Sequence, residues 1–244
     1  MNKPNTQTEL MIQLTYKCTL DCIHCSYGGI RDCGSKYGPD VWSFLYQYKP
    51  QLIKISGGEP TLSENFDYVV RGCKETGAKV ITFTNGLQEP RIHPDFYWVS
   101  LYGNRKIHNS ITRADTFEKT VAFIEAHEVE YLNSPVFGRQ QLKSLREMGE
   151  KLDIPLRITR MIAHGNATNV LPLYRQQRLV KSLKLDKKPH WVTCSLGMEP
   201  SRCWKKICLR PDGSTIICTA LVRGLPCPFR KKISTLLWNK LFKQ

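Results

Sequence analysis

Six short apolar runs alternate with helical patterns through the first two thirds of this chain. The runs are Leu10–Thr15, Leu52–Ser56, Lys79–Thr84, Tyr97–Leu101, Val129–Asn133 and Leu156–Met161. Each has the length and β-branched content of a buried strand. Helical spacing is seen over 39–48, 64–76, 115–127 and 138–151. In the second of these, Phe66, Val69, Val70 and Cys73 share one face, which makes Cys73 a core residue. In the third, Phe117, Val121, Phe123 and Ile124 share a face, with Asp115 as N-cap and Glu118 completing a capping box. Pro90 and Pro94 weaken any helix between Thr84 and Tyr97. Repeated strand–helix alternation predicts an α/β fold with a parallel sheet and right-handed crossovers. Ligands of such sheets gather at the C-terminal ends of the strands.

The chemistry-bearing residues fall at those ends. Cys18, Cys22 and Cys25 form C-x3-C-x2-C directly after the first run. Ser56-Gly57-Gly58-Glu59-Pro60 closes the second. Thr84-Asn85-Gly86 follows the third, Ser100 ends the fourth, and Arg160 lies near the end of the sixth. Three cysteines within eight residues are a metal or cluster site. Three ligands rather than four leave one coordination position open, as a catalytic centre requires. A zinc knuckle is the rival reading, with His24 or Cys33 as fourth ligand. It gives no reason for a glycine pair followed by Glu-Pro at a strand end.

With these two motifs in this order, the chain resembles the radical S-adenosylmethionine (SAM) superfamily. The resemblance implies an open (β/α)6 partial TIM-like barrel over roughly residues 8–165. It implies that Cys18, Cys22 and Cys25 hold a [4Fe-4S] cluster, and that SAM binds the remaining iron position. His24 would lie beside the adenine. Gly57 and Gly58 would let backbone approach the methionyl end, Glu59 would accept from its ammonium, and Pro60 would stiffen the exit. Thr84, Asn85 and Ser100 would stand near ribose and carboxylate oxygens. Two departures stand out. Tyr102 occupies the place of a usual aspartate in Ser-Leu-Asp-Gly. The arginine expected twelve residues after Ser100 is shifted by one, to Arg113. Either the loop shifts, or Arg157 or Arg160 pairs the SAM carboxylate. Arg160 through Ala167 also resembles the family's Arg…Gly-x-Ala segment on strand six.

Beyond residue 168 the pattern changes. A basic helical connector over 169–189 leads to a cysteine-rich segment, 190–244. There Cys203-x9-Gly213-x4-Cys218 resembles the signature of SPASM and twitch domains, which carry auxiliary [4Fe-4S] clusters. One such cluster is expected, in a small twitch-like hairpin-and-helix domain, with structural zinc as the alternative. Treating Asp212-Gly213 as a two-residue turn puts Cys208 opposite Ile217 and Ile207 opposite Cys218. That pairing favours Cys194, Cys203, Cys218 and Cys227 as ligands and leaves Cys208 in doubt.

Composition narrows the setting. The chain has 244 residues, 41% of them apolar, enough for a large core. No run approaches a membrane span, and the N-terminus lacks a signal-peptide core, so a cytoplasmic location and no membrane partner are expected. Ten cysteines in a reducing compartment point to metals rather than disulfides. Net charge is +15, and residues 181–244 carry 14 Lys/Arg against 3 Asp/Glu. That quarter fits either a solvated basic face or an RNA footprint. The resemblance implies an enzyme that cleaves SAM reductively to a 5′-deoxyadenosyl radical and abstracts a substrate hydrogen. The substrate class it suggests is a peptide or protein side chain, with ferredoxin or flavodoxin as electron donor. A tRNA-modifying enzyme and a non-catalytic iron–sulfur or zinc scaffold are the alternatives.

Overall fold

The structure is a computed structural model that describes residues 9–27, 42, 45–46, 49–159, 161, 165–183, 206–209 and 215–216. Eight strands form one sheet: β1 (Glu9–Thr15), β2 (Leu52–Gly57), β3 (Lys79–Thr84), β4 (Phe96–Ser100), β5 (Val129–Pro135), β6 (Leu156–Thr159), β7 (Lys206–Leu209) and β8 (Thr215–Ile216). Their order is β6-β5-β4-β3-β2-β1-β7-β8. Strands β1 to β6 are parallel and adjacent in chain order, as in a partial barrel wound in one direction. The helices are α1 (Phe66–Glu75), α2 (Arg105–Thr112), α3 (Phe117–Ala126), α4 (Arg139–Leu152) and α5 (Leu173–Ser182). Among the described residues, no helix is long and apolar enough to cross a membrane.

Alternation along the strands sorts side chains onto two faces. On the outer face Leu10, Ile12, Leu14, Ile53, Ile55 and Val80 pack on Phe66, Val69, Val70 and Cys73 of α1. Cys73 is thus a core residue, and burial pushes its thiol up to about 12. Further along the sheet, Tyr97, Val99, Leu132 and Ile158 pack on Phe123, Leu142 and Leu145. The inner face is aromatic and cationic. Trp98 lies between the Lys54 ammonium, 5.0 Å from its ring, and the Arg157 guanidinium, 4.3 Å away. Between β4 and β5 the register slips by one residue at Glu130. Its carboxylate takes the Trp98 indole N–H at 2.7 Å and the Lys79 ammonium at 2.8 Å. The bulge therefore ends in a fully occupied acceptor.

Three expectations are corrected. Helix and strand do not alternate strictly: β3 joins β4 through a loop, and two helices, α2 and α3, fill the next crossover. Asp115 does not cap α3. Asn109 reaches back instead and accepts from the backbone N–H groups of Thr116 and Phe117, both at 3.1 Å. Asp115 accepts from the Asn109 amide, and Glu118 pairs with Arg105. The C-terminal hairpin of β7 and β8 joins the same sheet, β7 pairing in parallel with the free edge of β1. Its register pairs Cys208 with Ile216, and Leu209 with Thr215. Five residues separate Leu209 from Thr215, an odd number, so the connection is not the two-residue turn. The reason for doubting Cys208 falls away with that turn. Cys194, Cys203, Cys218, Cys227, Cys33 and Arg160 lie outside the described residues.

Candidate functional site

The ends of all six barrel strands converge on a cavity of about 260 Å³. Its wall includes Cys18, Cys22, His24 and Cys25 after β1, and Ser56 to Glu59 after β2. Thr84 and Asn85 follow from β3, Ser100 and Tyr102 from β4, Asn133 from β5, and Thr159 from β6. Motifs up to 141 residues apart in the chain thus share one hollow, as parallel topology requires of loops leaving the same ends.

The cysteine loop is held from three sides. Its Ile23 N–H donates to Ile111 O at the end of α2, 3.0 Å away. Asn166 donates its side-chain amide to Asp21 Oδ1 (2.9 Å) and Cys22 O (3.1 Å), and its backbone N–H to Cys25 O (2.9 Å). Beside it, Gly165 sits at φ 56° with room for no side chain: a Cβ would stand 2.3 Å from Cys25 O. Gly165 and Asn166, from the segment read from sequence as Arg…Gly-x-Ala, therefore clamp the cysteine loop. Arg113 joins that clamp, its guanidinium 2.9 Å from Asp21 Oδ2. It does not line the cavity, and neither does Pro60, which opens the buried 3-10 turn Pro60–Leu62.

The glycine pair is dictated by the same loop. Gly58 N–H donates to Thr15 O and Glu59 N–H to Lys17 O, both at 2.7 Å. A Cβ on Gly57 would stand 2.2 Å from Thr15 O, and one on Gly58 would stand 2.3 Å from Lys17 O. Gly57 also adopts φ 155°, which side chains rarely tolerate. So the pair lets the stem of the cysteine loop lie directly against the end of β2. The following Glu59 is buried. Its Oε1 accepts from the Thr61 and Thr84 hydroxyls at 2.8 Å, and its Oε2 from Asn85 N–H at 2.8 Å. Burial pushes the carboxyl's pKa up, and these hydrogen bonds pull against that. Glu59 thereby ties the end of β2 to the end of β3 while still lining the cavity.

His24 is buried edge-on against Tyr102 and Phe137. Burial lowers its pKa to about 4, so the imidazole is neutral. Its Nε2 meets the Tyr102 hydroxyl at 3.2 Å, and its Nδ1 has no partner among the described residues. Tyr102 also stacks on His108, and burial lowers that imidazole's pKa to about 4 as well. The tyrosine at the aspartate position thus acts as a wall for His24. Sequence reasoning missed Asn133 as a cavity residue. The Asn133 Oδ1 accepts from Arg157, which leaves its amide nitrogen as a donor for the cavity. The Asn85 Nδ2, expected from the motif, is a buried donor without a partner among the described residues. Asn133 was visible only as the polar end of an apolar run. Arg157 holds Asn133 from the Trp98 side and does not itself line the cavity.

The donor set fits an iron–sulfur cluster better than a single ion. One zinc at 2.3 Å from three sulfurs would bring those sulfurs to roughly 3.8 Å of one another. Among the described residues, Cys18, Cys22 and Cys25 do not form a set of ligand atoms within 4.8 Å. The Cys22 thiol is pushed up to about 12 by burial first, then by Cys18 and Cys25. Three mutually repelling thiolates need a shared positive centre to ionise together. The unpartnered Asn85 amide nitrogen and His24 Nδ1 add polar atoms to residues of the same cavity wall.

No family model matches the chain. A probable GTP 3′,8-cyclase of Sulfurisphaera tokodaii is 26% identical over 130 residues, 48% of this chain and 42% of that protein. Mycofactocin maturase MftC of Mycolicibacterium smegmatis is 28% identical over 193 residues, 68% of this chain and 48% of that protein. The chain thus spans less than half the length of these curated relatives. Among solved structures, Streptococcus suis SuiB bound to precursor peptide SuiA superposes with a TM-score of 0.73. It is 16% identical, over 88% of this chain and 60% of SuiB, a likeness of fold. These relatives are radical SAM enzymes, and this chain is similar to them in sequence and fold, with its cysteine loop and glycine–glutamate turn brought onto one cavity.

Proposed function

We propose that the chain is a radical SAM enzyme acting on a peptide or protein side chain. The observation that carries the reading is the convergence of Cys18, Cys22, Cys25, Gly57, Gly58, Glu59, Asn85 and Ser100 on one cavity. Cys18, Cys22 and Cys25 would hold a [4Fe-4S] cluster. When bound, that cluster and SAM supply a 5′-deoxyadenosyl radical that removes a hydrogen atom from the substrate.

The chain's own residues prepare the pocket for that chemistry. The backbone N–H of Leu20 donates to Cys18 Sγ at 3.4 Å and so orients that sulfur within the loop. Neutral His24 offers an apolar, uncharged face beside Phe137, suited to a flat heteroaromatic ring. The Asn85 and Asn133 amides are donors for ribose or carboxylate oxygens. Glu59 Oε2, with one donor among the described residues, keeps acceptor capacity for an ammonium group. The rings of His24, Tyr102 and Phe137 keep water from that side. Arg113 and Arg160 remain proposed carboxylate partners, and ferredoxin or flavodoxin is the proposed donor of the electron. Cys194, Cys203, Cys218 and Cys227 are proposed to carry one auxiliary [4Fe-4S] cluster in a twitch-like 190–244 region, with Cys208 again a candidate.

Relatives that mature peptides, and a structural neighbour with a precursor peptide bound, support the substrate class. The test is anaerobic: reconstituted protein with SAM and dithionite should form 5′-deoxyadenosine. The Cys18→Ala/Cys22→Ala/Cys25→Ala variant should form none while retaining about four irons at the auxiliary site. Wild-type protein that carries a full iron complement yet yields no 5′-deoxyadenosine would leave a scaffold as the better reading. Saturable, salt-resistant binding of tRNA would redirect the substrate class to RNA.

A further inference from the structure

At the opposite end of the barrel from the cysteines, two loops bring together a second group of ligating side chains. Glu89 and His93 come from the β3–β4 loop, and His127 from the turn after α3. One ligand atom from each lies within 4.8 Å of the other two. We propose that Glu89, His93 and His127 form a binding site for a divalent transition-metal ion of zinc's class. The site is independent of the cysteine pocket and of the reaction assigned to it.

The geometry is that of ligands around a shared ion. Zinc bonds imidazole nitrogen and carboxylate oxygen at about 2.0–2.2 Å, so ligand atoms in a tetrahedral shell stand about 3.3 Å apart. Here Glu89 Oε2 is 2.9 Å from His127 Nε2, and Glu89 Oε1 is 3.8 Å from His93 Nε2. The two distances run to different oxygens of one carboxylate, and each lies within about 0.5 Å of the value for a shared ion. The two imidazole rings are stacked, 5.2 Å apart and 30° from parallel, so both present their edges to the same carboxylate.

The rings are also held from behind, as metal-binding histidines generally are. His93 Nδ1 meets the hydroxyl of buried Tyr97 at 3.0 Å, which leaves Nε2 facing Glu89. His127 rests on the Phe123 ring with centroids 4.2 Å apart. The loop carrying His93 is pinned on both sides of it. Ile92 N–H donates to Asp67 at 3.1 Å, and the Lys74 ammonium donates to His93 O at 3.3 Å.

The surroundings of the site are acidic. In a chain of net charge +15, the hollow beside the histidines is lined by Asp95, Glu125 and Glu128. Only Asp95 of these has a cationic partner among the described residues, Lys74 at 3.1 Å. Three protein ligands leave a fourth position, open to water or to a small anion entering that hollow.

The experiment uses the cluster-loaded chain, so that the cysteines are occupied, and titrates Zn²⁺ alone against a chromophoric chelator. Wild type should bind one equivalent more than the His93→Gln/His127→Gln variant. Glu89→Gln should weaken that equivalent at least tenfold. X-ray absorption at the zinc edge should show nitrogen or oxygen neighbours near 2.0 Å for it and no sulfur near 2.3 Å. Equal zinc uptake by wild type and double variant, or sulfur ligation of the additional ion, overturns the site. Should the double variant fail to fold, His93→Gln alone decides, because His93 is exposed and lies outside helix and strand.

Discussion

The two rims of the barrel put similar chemistry on different supports. At the C-terminal rim Cys18, Cys22 and Cys25 ride on a loop whose stem is pressed against backbone: Thr15 O and Lys17 O receive the N–H groups of Gly58 and Glu59. At the N-terminal rim Glu89, His93 and His127 meet through side chains alone, two of them exposed. The first arrangement fixes position through atoms that cannot rotate away, and it tolerates no added carbon. The second can adjust by rotamer changes. A centre that must exclude water and place a reactive group needs the first kind of support. A site that only needs to hold an ion can use the second.

Adding one methyl group should therefore break the upper rim and leave other glycine positions nearly intact. Gly57→Ala places a Cβ 2.2 Å from Thr15 O at φ 155°. The expected loss is about 3 kcal/mol or more, from overpacking and backbone strain together. Gly77→Ala is the control, with φ 76° and nothing within 4 Å of the new Cβ. It should cost only about 1 kcal/mol. Urea unfolding of the metal-free variants measures both. Equal losses at the two positions would mean that the close approach to Thr15 is not what requires glycine.

Next in size is the buried carboxylate. Glu59→Gln keeps the shape but turns one acceptor atom into a donor, facing the Asn85 N–H or the hydroxyls of Thr61 and Thr84. One buried donor is left unpaired, at a cost of about 2–3 kcal/mol. The same variant should weaken SAM binding to the loaded protein. If stability is unchanged while SAM binding collapses, Glu59 serves the ligand alone and not the join between β2 and β3.

These effects follow from features that differ in how far they could be read from sequence. Strands β1 to β6 were legible because fully buried strands are written as local apolar runs. The cysteine and glycine motifs were legible because their spacing is local too. Helix α2 was not, because Ile107 and Ile111 are its only aliphatic residues. Asn109 took the place of Asp115 as the cap of α3 through a contact between two helices, which no capping pattern encodes. Pairing of β7 with β1 joins positions nearly 200 residues apart, and a parallel pair needs no turn to announce it. Asn166 and Asn133 carried no signal as ligands of the loop and cavity, because an asparagine in a loop or at a strand end is ordinary.

A smaller effect should appear on acidification. The imidazoles of His24 and His108 are held neutral, with pKa lowered from 6.5 to about 4 by burial. Between those values the unfolded chain takes up protons that the folded chain refuses. Stability is therefore complete above about pH 6.5 and declines as pH falls toward 4. At pH 5 each histidine should cost about 2 kcal/mol. Urea midpoints of the metal-free chain at pH 7.5 and 5.0 measure the sum, and His24→Gln should remove roughly half of it. A full-sized decline in that variant would mean that His24 is not the buried neutral base of the upper rim.

The smallest change expected concerns Arg113, which sets the fold's use of this arginine against the ligand's. Both partners of its ion pair with Asp21 are about half exposed, at 53% and 50%. Such a pair contributes about 0.5 kcal/mol and is screened by salt. Arg113 adopts φ 59°, a conformation that costs alanine as much as arginine, so Arg113→Ala isolates the side chain. Stability should change by less than about 1 kcal/mol, because Asn166 still holds Asp21 and Cys22. SAM affinity of the cluster-loaded variant, measured by equilibrium dialysis, then separates the two roles. Affinity within twofold of wild type makes Arg113 a brace of the cysteine loop and moves the carboxylate to another partner. A tenfold or greater loss means that the guanidinium leaves Asp21 when SAM arrives, and that the upper rim rearranges on binding after all.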